Sequence, residues 1–456
     1  MKQPAASADG PSQGAPLSRR RRLLVLAICC MSLLLVGLDN TIVNVALPSM
    51  GRDLNASASG LQWAVDAYSL VIAGLLMLAG SMGDRLGRRR VFRTGLILFT
   101  AGSLLCSLAP GLGWLIAFRA MQAVGGSMLN PVAMSIITNT FTDPRERAQA
   151  IGVWGGVIGV SMALGPVLGG VLVDAVGWRS IFWINVPVGL AALVLTGLFV
   201  PESKAARARR LDPVGQVLVM AALASLVYAI IEAPAAGWTA PETLALFGLC
   251  ALAVAGLVGY ESRRDEPLLD VRLFRSIPFS GATVIAVCAF AIMAGFLLLN
   301  TLYLQDVRGY SPMHAGLATL PMALMVLVFG PVSGRLVALF GPRPSLLVAG
   351  VALGASSAMM LSLQPDTSAV RLFTAYVLFG MGFGLVNAPI TNTAVSGMPL
   401  DRAGVAAAVA STSRQVGSAL GVAVIGSVAA THVTGALAAG GGAASHIDPT
   451  SAGGWW

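Results

Sequence analysis

The sequence predicts an all-α, polytopic transmembrane protein: two pseudo-symmetric six-helix bundles with two helices inserted between them. Three observations carry this. Hydrophobic residues make up 56% of the 456 positions and charged residues only 11%, against about a quarter charged in a soluble domain. The apolar residues fall into thirteen long stretches, and the loops between them are alternately rich and poor in arginine. A Gly/Arg signature occurs twice, once in each half of the chain. The mean hydropathy of +0.79 excludes a soluble enzyme, a disordered scaffold and a secreted disulfide module, because water does not tolerate so much apolar surface.

A membrane crossing needs about 20 apolar residues to span roughly 30 Å of hydrocarbon. The stretches run approximately 23–47, 60–82, 91–110, 112–138, 149–173, 178–200, 213–233, 241–260, 279–304, 313–336, 343–363, 369–396 and 403–430. The first is too long for the apolar region of a signal peptide and no small-residue cleavage site follows it, so it is expected to stay in the mature chain. Domain organisation follows: a cytoplasmic tail over 1–22, an N-terminal bundle over 23–200, an inserted pair with its loops over 201–278, a C-terminal bundle over 279–430 and a flexible extracytoplasmic tail over 431–456. That tail is rich in Gly, Ala and Ser. Its Trp455 and Trp456 fit either a free end or the interfacial start of another helix.

Charge sets the orientation. With the N-terminus cytoplasmic, about 23 of the 29 Lys and Arg lie inside, among them Arg19–Arg22, the Arg85–Arg93 cluster, Lys204–Arg210, Arg263–Arg275, Arg335, Arg343 and Arg402. Outer loops hold Arg52, Arg179, Arg308 and Arg371, while Arg119 and Arg414 fall within spans. This asymmetry is the positive-inside pattern, so the net charge of +9 reports topology and not a nucleic-acid partner. The five cysteines lie in apolar segments without metal-ligand spacing and read as small hydrophobes.

The repeat is GSMGDRLGRRR from Gly80 to Arg90 and GRLVALFGPR from Gly334 to Arg343. Aligning Gly87 with Gly341 also aligns Gly80 with Gly334 and Arg89 with Arg343, at an offset of 254 residues. Repeats about an axis along the membrane normal are an alternating-access transporter architecture.

Ionisable residues inside a bilayer are functional candidates by default. Asp39 lies in the first span, Asp66 in the second and Arg119 in the fourth, and helix arithmetic brings all three to similar depth in the outer half. If they share a cavity, Arg119 holds one carboxylate ionised and leaves the other to gain and lose a proton. A static ion pair locking the helices is the alternative. Arg414, deep in the last span, suits an anionic substrate or a packing salt bridge equally. Glu232 and Asp306 fall at outer span ends and are expected to be solvated, and His314 and His432 read as bystanders. The glycine run Gly152–Gly170, with Pro166, permits close helix approach and a bend. No nucleotide cradle, metal cluster or nucleophile–base pair stands out, so neither an enzyme, a cofactor nor a metal is expected.

Together these segments resemble the major facilitator superfamily, in particular its fourteen-helix drug:proton antiporters of the EmrB/QacA type, over about residues 23–430. LDNTIVNVALP (Leu38–Pro48) is similar to that branch's helix-1 signature. Gly80, Asp84, Arg85, Gly87, Arg88 and Arg89 match its loop 2–3 motif. Arg119 and Gln122 match the helix-4 motif, with Ala123 in place of a glycine; Gly165, Pro166, Gly169 and Gly170 match the helix-5 antiporter motif, with Ser161 in place of another. GWRSIFWINVPVG (Gly177–Gly189) and LYLQDVRGYSPMHAGLATLP (Leu302–Pro321) also fit the branch.

The resemblance implies a monomeric carrier in the cell membrane that exports hydrophobic or cationic drugs or antibiotics in exchange for protons, giving antibiotic resistance with no cofactor beyond the proton gradient. It implies proton handling by Asp39 and Asp66, coupling by Arg119, and gating by loop 80–90, whose Asp84 caps a helix in the opposite half. It implies antiport rather than symport from Gly165–Gly170. Thirteen spans are one short of the branch's fourteen. The rival readings are a metabolite exporter or uptake symporter of the same fold, or a carrier inactive without the last helix; a receptor or membrane enzyme would need a soluble domain or a catalytic constellation.

Overall fold

The arginine run at the start of the first apolar stretch opens a 36-residue helix, α1 (Arg19–Leu54), whose first turn is capped by the Ser18 hydroxyl accepting from the Arg21 N–H. The computed structural model describes residues 18–204, 212–264, 271–361, 363–395 and 400–439. The helices that follow are α2 (Ala58–Leu86), α3 (Arg88–Ser107), α4 (Leu112–Thr140), α5 (Pro144–Ala175), α6 (Ser180–Trp183), α7 (Asn185–Phe199), α8 (Pro213–Ala236) and α9 (Pro241–Glu261). Then come α10 (Ile277–Leu302), α11 (Pro312–Ala318), α12 (Leu320–Phe340), α13 (Pro342–Met360), α14 (Ala369–Val395) and α15 (Leu400–Ala439). With α6 and α7 read as one broken crossing, and α11 and α12 as another, each of the thirteen predicted stretches has its helix. Eight of these crossings are long and apolar enough to span a membrane by composition alone. Of the remaining five, α3, α4 and α13 are diluted by Gly, Ala, Ser and Arg, while α5 and α15 run over side chains outside the described residues. No strand occurs among the described residues.

One boundary differs from expectation. Residues 431–439, read from sequence as the start of a flexible tail, continue α15, because Ala436, Leu437, Ala438 and Ala439 are strong helix formers that outweigh Gly435. The side chains of Arg145, Arg207, Arg209, Arg210, Arg402 and His432, and the segment 440–456 with Trp455 and Trp456, lie outside the described residues.

The offset of 254 residues seen in two loops extends through the fold. Adding it carries α2 (58–86) onto 312–340, the span of α11 and α12, and α3 (88–107) onto 342–361, the span of α13. It carries α1 onto α10 with its following π-turn, Tyr303–Val307. Packing repeats as well: α1 lies on α5, and α2 and α3 on α4, just as α10 lies on α15, and α12 and α13 on α14. The signature glycines explain why the loop motif is repeated. Gly87 (φ 111°) and Gly341 (φ 79°) each make a one-residue corner between two long helices, in a backbone region that side chains with a Cβ resist.

Helix α8 covers the seam between the halves, lying against both α2 and α15. The Trp63 indole donates to Glu232 Oε1 at 2.9 Å. Ser427 Oγ donates to the Ile230 carbonyl at 2.6 Å, and Gln216 donates to the Gly74 carbonyl. Glu232, expected to be solvated, is therefore a half-buried partner of Trp63. Asp306 keeps 47% side-chain exposure beside Arg52.

The two halves close on the side opposite the arginine-rich loops, here the far side. Gln305 Nε2 donates to the Val45 carbonyl at 2.8 Å, and the Met313 N–H donates to Asp174 Oδ2 at 2.9 Å. Farther in, α5 meets α12 where a Cβ on Gly159 would stand 3.3 Å from Leu327. One turn closer to the basic side, on the same faces, Gly156 and Gly330 have nothing within 4 Å of where a Cβ would lie. Among the described residues the two helices therefore stand apart at this level, leaving a cleft on the basic side.

Candidate functional site

Arg119 is held from three directions. Its Nη1 lies 2.5 Å from Asp39 Oδ2 and donates to Gln122 Oε1 at 2.9 Å. Its Nε donates to the Ala64 carbonyl at 3.3 Å, and the guanidinium sits 4.1 Å over the Tyr68 ring. The other oxygen of Asp39 accepts from Gln122 Nε2 at 2.8 Å and from Asn185 Nδ2 at 3.0 Å. Asn185 and Gln122 both reach Ser103 Oγ, at 3.0 and 3.3 Å, and that hydroxyl donates to the Phe182 carbonyl at 3.0 Å. Arg119 and Asp39 are 1% and 0% exposed.

Five elements converge here because glycine thins the wall. A Cβ on Gly102 would stand 2.8 Å from Gln122 Cβ, so a larger residue there would push α4 away from α3 and pull Gln122 off Asp39. A buried pair this well saturated is not disposable. Removing one member strands the other charge, at about 3–5 kcal/mol. Chemically, Asp39 can let go of Arg119 cheaply only by taking up a proton.

Asp66 does not join this network. Helical geometry turns each residue about 100°, and Ala64 and Tyr68 already face Arg119, so Asp66, between them, faces the other way. It lies on the α15 side: one turn before it, Gln62 abuts Gly426, and one turn after it, Leu70 packs with Ala419 and Ala423. Asp66 is 0% exposed, and neither carboxylate oxygen has a hydrogen-bond partner. The sequence reading placed both carboxylates and Arg119 at one depth. The structure joins Asp39 to Arg119 and sets Asp66 apart, at the seam of the two halves.

A model of the Major Facilitator Superfamily matches residues 29–422. The chain belongs to this superfamily. Among curated relatives it is 38% identical over 418 residues to the multidrug resistance protein Stp of Mycobacterium tuberculosis, covering 92% of this chain and 78% of that one. It is also 38% identical to the tetracenomycin C resistance and export protein of Streptomyces glaucescens, over 94% and 80% of the two chains. The same identity links it to the puromycin resistance protein pur8 of Streptomyces alboniger, over 92% and 83%. Among solved structures, a bacterial homologue of the human lysosomal transporter Spinster superposes with a TM-score of 0.69 at 18% identity, covering 93% of this chain and 85% of that one; the likeness is one of fold.

In this major facilitator the buried ion pair has no counterpart in the other half. The offset of 254 carries Asp39, Arg119 and Gln122 onto Met293, Phe373 and Tyr376. There Tyr376 donates to Asn300 Oδ1 at 2.5 Å, and Phe296 stacks on Phe379 at 4.1 Å. One bundle carries an ion pair where its twin carries aromatic packing.

The helix-5 glycines make two far-side contacts, one within the N-terminal bundle and one that seals it against the other half. A Cβ on Gly165 would fall 2.8 Å from Thr41 Cβ, and one on Gly169 would fall 2.8 Å from Ile42 Cγ1, so both press α5 onto α1. Gly170 faces the opposite bundle, where a Cβ would stand 2.6 Å from Met313 Cα on α11. Pro166 and Thr41 line a narrow, mainly apolar cleft under this seal with Asn44, Leu297, Asn300 and Leu304. In loop 80–90, Asp84 Oδ1 accepts from Arg88 at 2.8 and 3.1 Å. Glu202 Oε1 accepts from the Arg89 N–H at 3.1 Å, capping α3, and Arg89 donates to the Gly197 carbonyl. A Cβ on Gly87 would fall 2.6 Å from Glu202. Gly80 lies under Pro131, and Arg85 is exposed. The expected cap by Asp84 concerns a helix of the other half, and the side chains at the start of α15, 395–408, lie outside the described residues.

Arg414 donates to Thr391 Oγ1 at 2.5 Å. Sequence reasoning missed Asn185, Ser103 and Tyr68 as members of the Asp39 site. Asn185 carried a signal, a lone amide in an apolar span; Ser103 and Tyr68 carried none.

Proposed function

We propose that this chain exports drug-like, largely apolar compounds across the cell membrane in exchange for protons, and so confers resistance to them. Its N-terminus and arginine-rich loops face the cytoplasm, as the positive-inside rule requires. The cleft then opens to the cytoplasm, where a drug enters, and the far-side contact of α5 with α11 at Gly170 must part to release it outside. Both walls of the cleft come from one chain, so a monomer suffices, and the proton gradient takes the place of any cofactor.

One observation supports proton coupling above the rest: Asp66 is fully buried with neither oxygen bonded, at the seam where the halves must slide. A bare carboxylate is costly in such a place and a protonated one is cheap. We assign the carried proton to Asp66, and to the Asp39–Arg119 pair the coupling role. That pair opens only when Asp39 is itself protonated, and its opening frees α1, α2 and α4 to move against one another. Loop 80–90 restrains the cytoplasmic gate. The relatives named for resistance to, or export of, tetracenomycin C and puromycin support the substrate class.

The test uses inverted vesicles with an acid-inside gradient, lumen pH being followed as tetracenomycin C, puromycin and other lipophilic drugs are added. Native chains should release protons on drug addition and Asp66→Asn should not, with equal amounts in the membrane. Unchanged release in Asp66→Asn would remove the assignment. No release with any compound in native vesicles would refute antiport.

A further inference from the structure

Arg414 is left over by this mechanism. Its hydrogen bond goes to Thr391 Oγ1 at 2.5 Å, its guanidinium lies 6.0 Å from the Phe290 ring, and its buried Nε has no acceptor. Arg119, by contrast, has a carboxylate, an amide oxygen, a carbonyl and an aromatic face. The acidic residues described on α10–α15 and their loops are Asp306 and Asp366, both at the far side. Asp401 stands 13 residues before Arg414 on the same helix, about 20 Å along the axis. On the basic side, the carboxylates of the N-terminal half are engaged: Asp84 with Arg88, Glu146 with Arg22, and Glu202 with Arg89 and Arg90. The repeat also lacks a counterpart, since subtracting 254 turns Arg414, Thr391 and Phe290 into Val160, Ile137 and Val36.

A guanidinium stays charged at any physiological pH. Among apolar helices, with one hydroxyl and one aromatic ring for company, it is under-satisfied and calls for an anion. It is also reachable, because Thr391 and Asn392 are exposed toward the end of α14 nearest the open side. We propose that Arg414 is a specificity residue that takes an acidic group of the transported compound, with Phe290 packing its apolar body. The substrates are then amphiphiles bearing a carboxylate, sulfonate or acidic phenol, in place of the hydrophobic or cationic drugs that the resemblance implied. This inference rests on the export reading above.

The experiment compares two matched arenes in inverted vesicles energised with an acid-inside gradient: anilinonaphthalene sulfonate and its uncharged parent, N-phenyl-1-naphthylamine. Ethidium serves as the cationic control. Native vesicles should accumulate the sulfonate, and Arg414→Gln should lower that uptake about ten- to hundredfold, the range for losing a charged hydrogen-bond partner, without an equal fall for the parent arene. Arg414→Lys should recover part of it. If Arg414→Gln fails to insert, Thr391→Val, which keeps the charge and removes its anchor, should show the same sulfonate-selective loss at smaller size. An equal fall for both arenes, or no fall, would overturn the proposal. Native vesicles that accumulate the parent arene or ethidium but not the sulfonate would defeat it and spare drug export; vesicles that accumulate none would defeat both.

Discussion

Neutralising the Asp39–Arg119 pair one member at a time, and then both together, separates a coupling switch from a structural tie. In Asp39→Asn the guanidinium keeps Gln122, Ala64 and the Tyr68 face but loses its countercharge. The new amide also turns either an N–H₂ toward Arg119 or its only oxygen away from Gln122 and Asn185. In Arg119→Gln the carboxylate keeps its two amide donors but no countercharge. Each single change should cost about 3–5 kcal/mol, the penalty for stranding a buried charge. The double variant holds no buried charge, and its loss is of neutral hydrogen bonds worth about 1 kcal/mol each. It should therefore be more stable than either single variant, by about 2 kcal/mol. Chemical unfolding of the four purified chains in mixed micelles measures this. Strict additivity, with the double variant the least stable, would refute the reasoning. If the pair switches rather than merely ties, the rescued double variant should still show no drug-dependent proton release; restored release would make it a tie.

Other consequences can be checked separately. Gly170→Val should jam α5 against Met313 and loosen the far-side seal, raising thiol labelling of a cysteine introduced at Thr41, which lines the cleft beneath it, at least severalfold. Asp174→Asn should do the same more weakly, since it softens one hydrogen bond to the Met313 N–H. Gly87→Ala places a Cβ at φ 111° and against Glu202, and should destabilise the protein by about 1–3 kcal/mol, seen as a lower midpoint in thermal unfolding. Trp63→Phe removes the indole donor to Glu232 and should raise hydrogen exchange at the far end of α8 while leaving that of α3 and α4 unchanged.

Much of the candidate site was legible in the sequence for one reason: a charge in an apolar helix stands out against its surroundings. Asp39, Asp66, Arg119 and Arg414 were all visible that way. Their partnerships were not. Depth along a helix follows from counting residues, so the sequence placed two carboxylates and a guanidinium at one level. Which faces they share depends on the rotation and packing of each helix, and a step of two residues, from Ala64 to Asp66, was enough to send a carboxylate to the opposite side. Ser103 and Tyr68 read as ordinary span residues, since a serine or tyrosine in a helix signals nothing until a neighbour bonds to it. Glu232 looked solvated because it falls at the outer end of its span, and packing α8 against α2 brought Trp63 to it.

What the sequence determined by itself is what depends on local composition and spacing: that the chain crosses the bilayer, about where each crossing lies, which loops share a side, and that its halves repeat. Backbone groups in hydrocarbon must satisfy themselves within each segment, so these properties are set helix by helix. Only the tertiary structure decided what depends on several helices at once. It saturated Asp39 and Arg119, isolated Asp66 at the seam, left Arg414 without a countercharge among the described residues, and joined the halves on the far side. Those outcomes turn on how small residues such as Gly102, Gly165 and Gly170 let particular faces approach, and close approach is a property of pairs of helices that no single segment encodes.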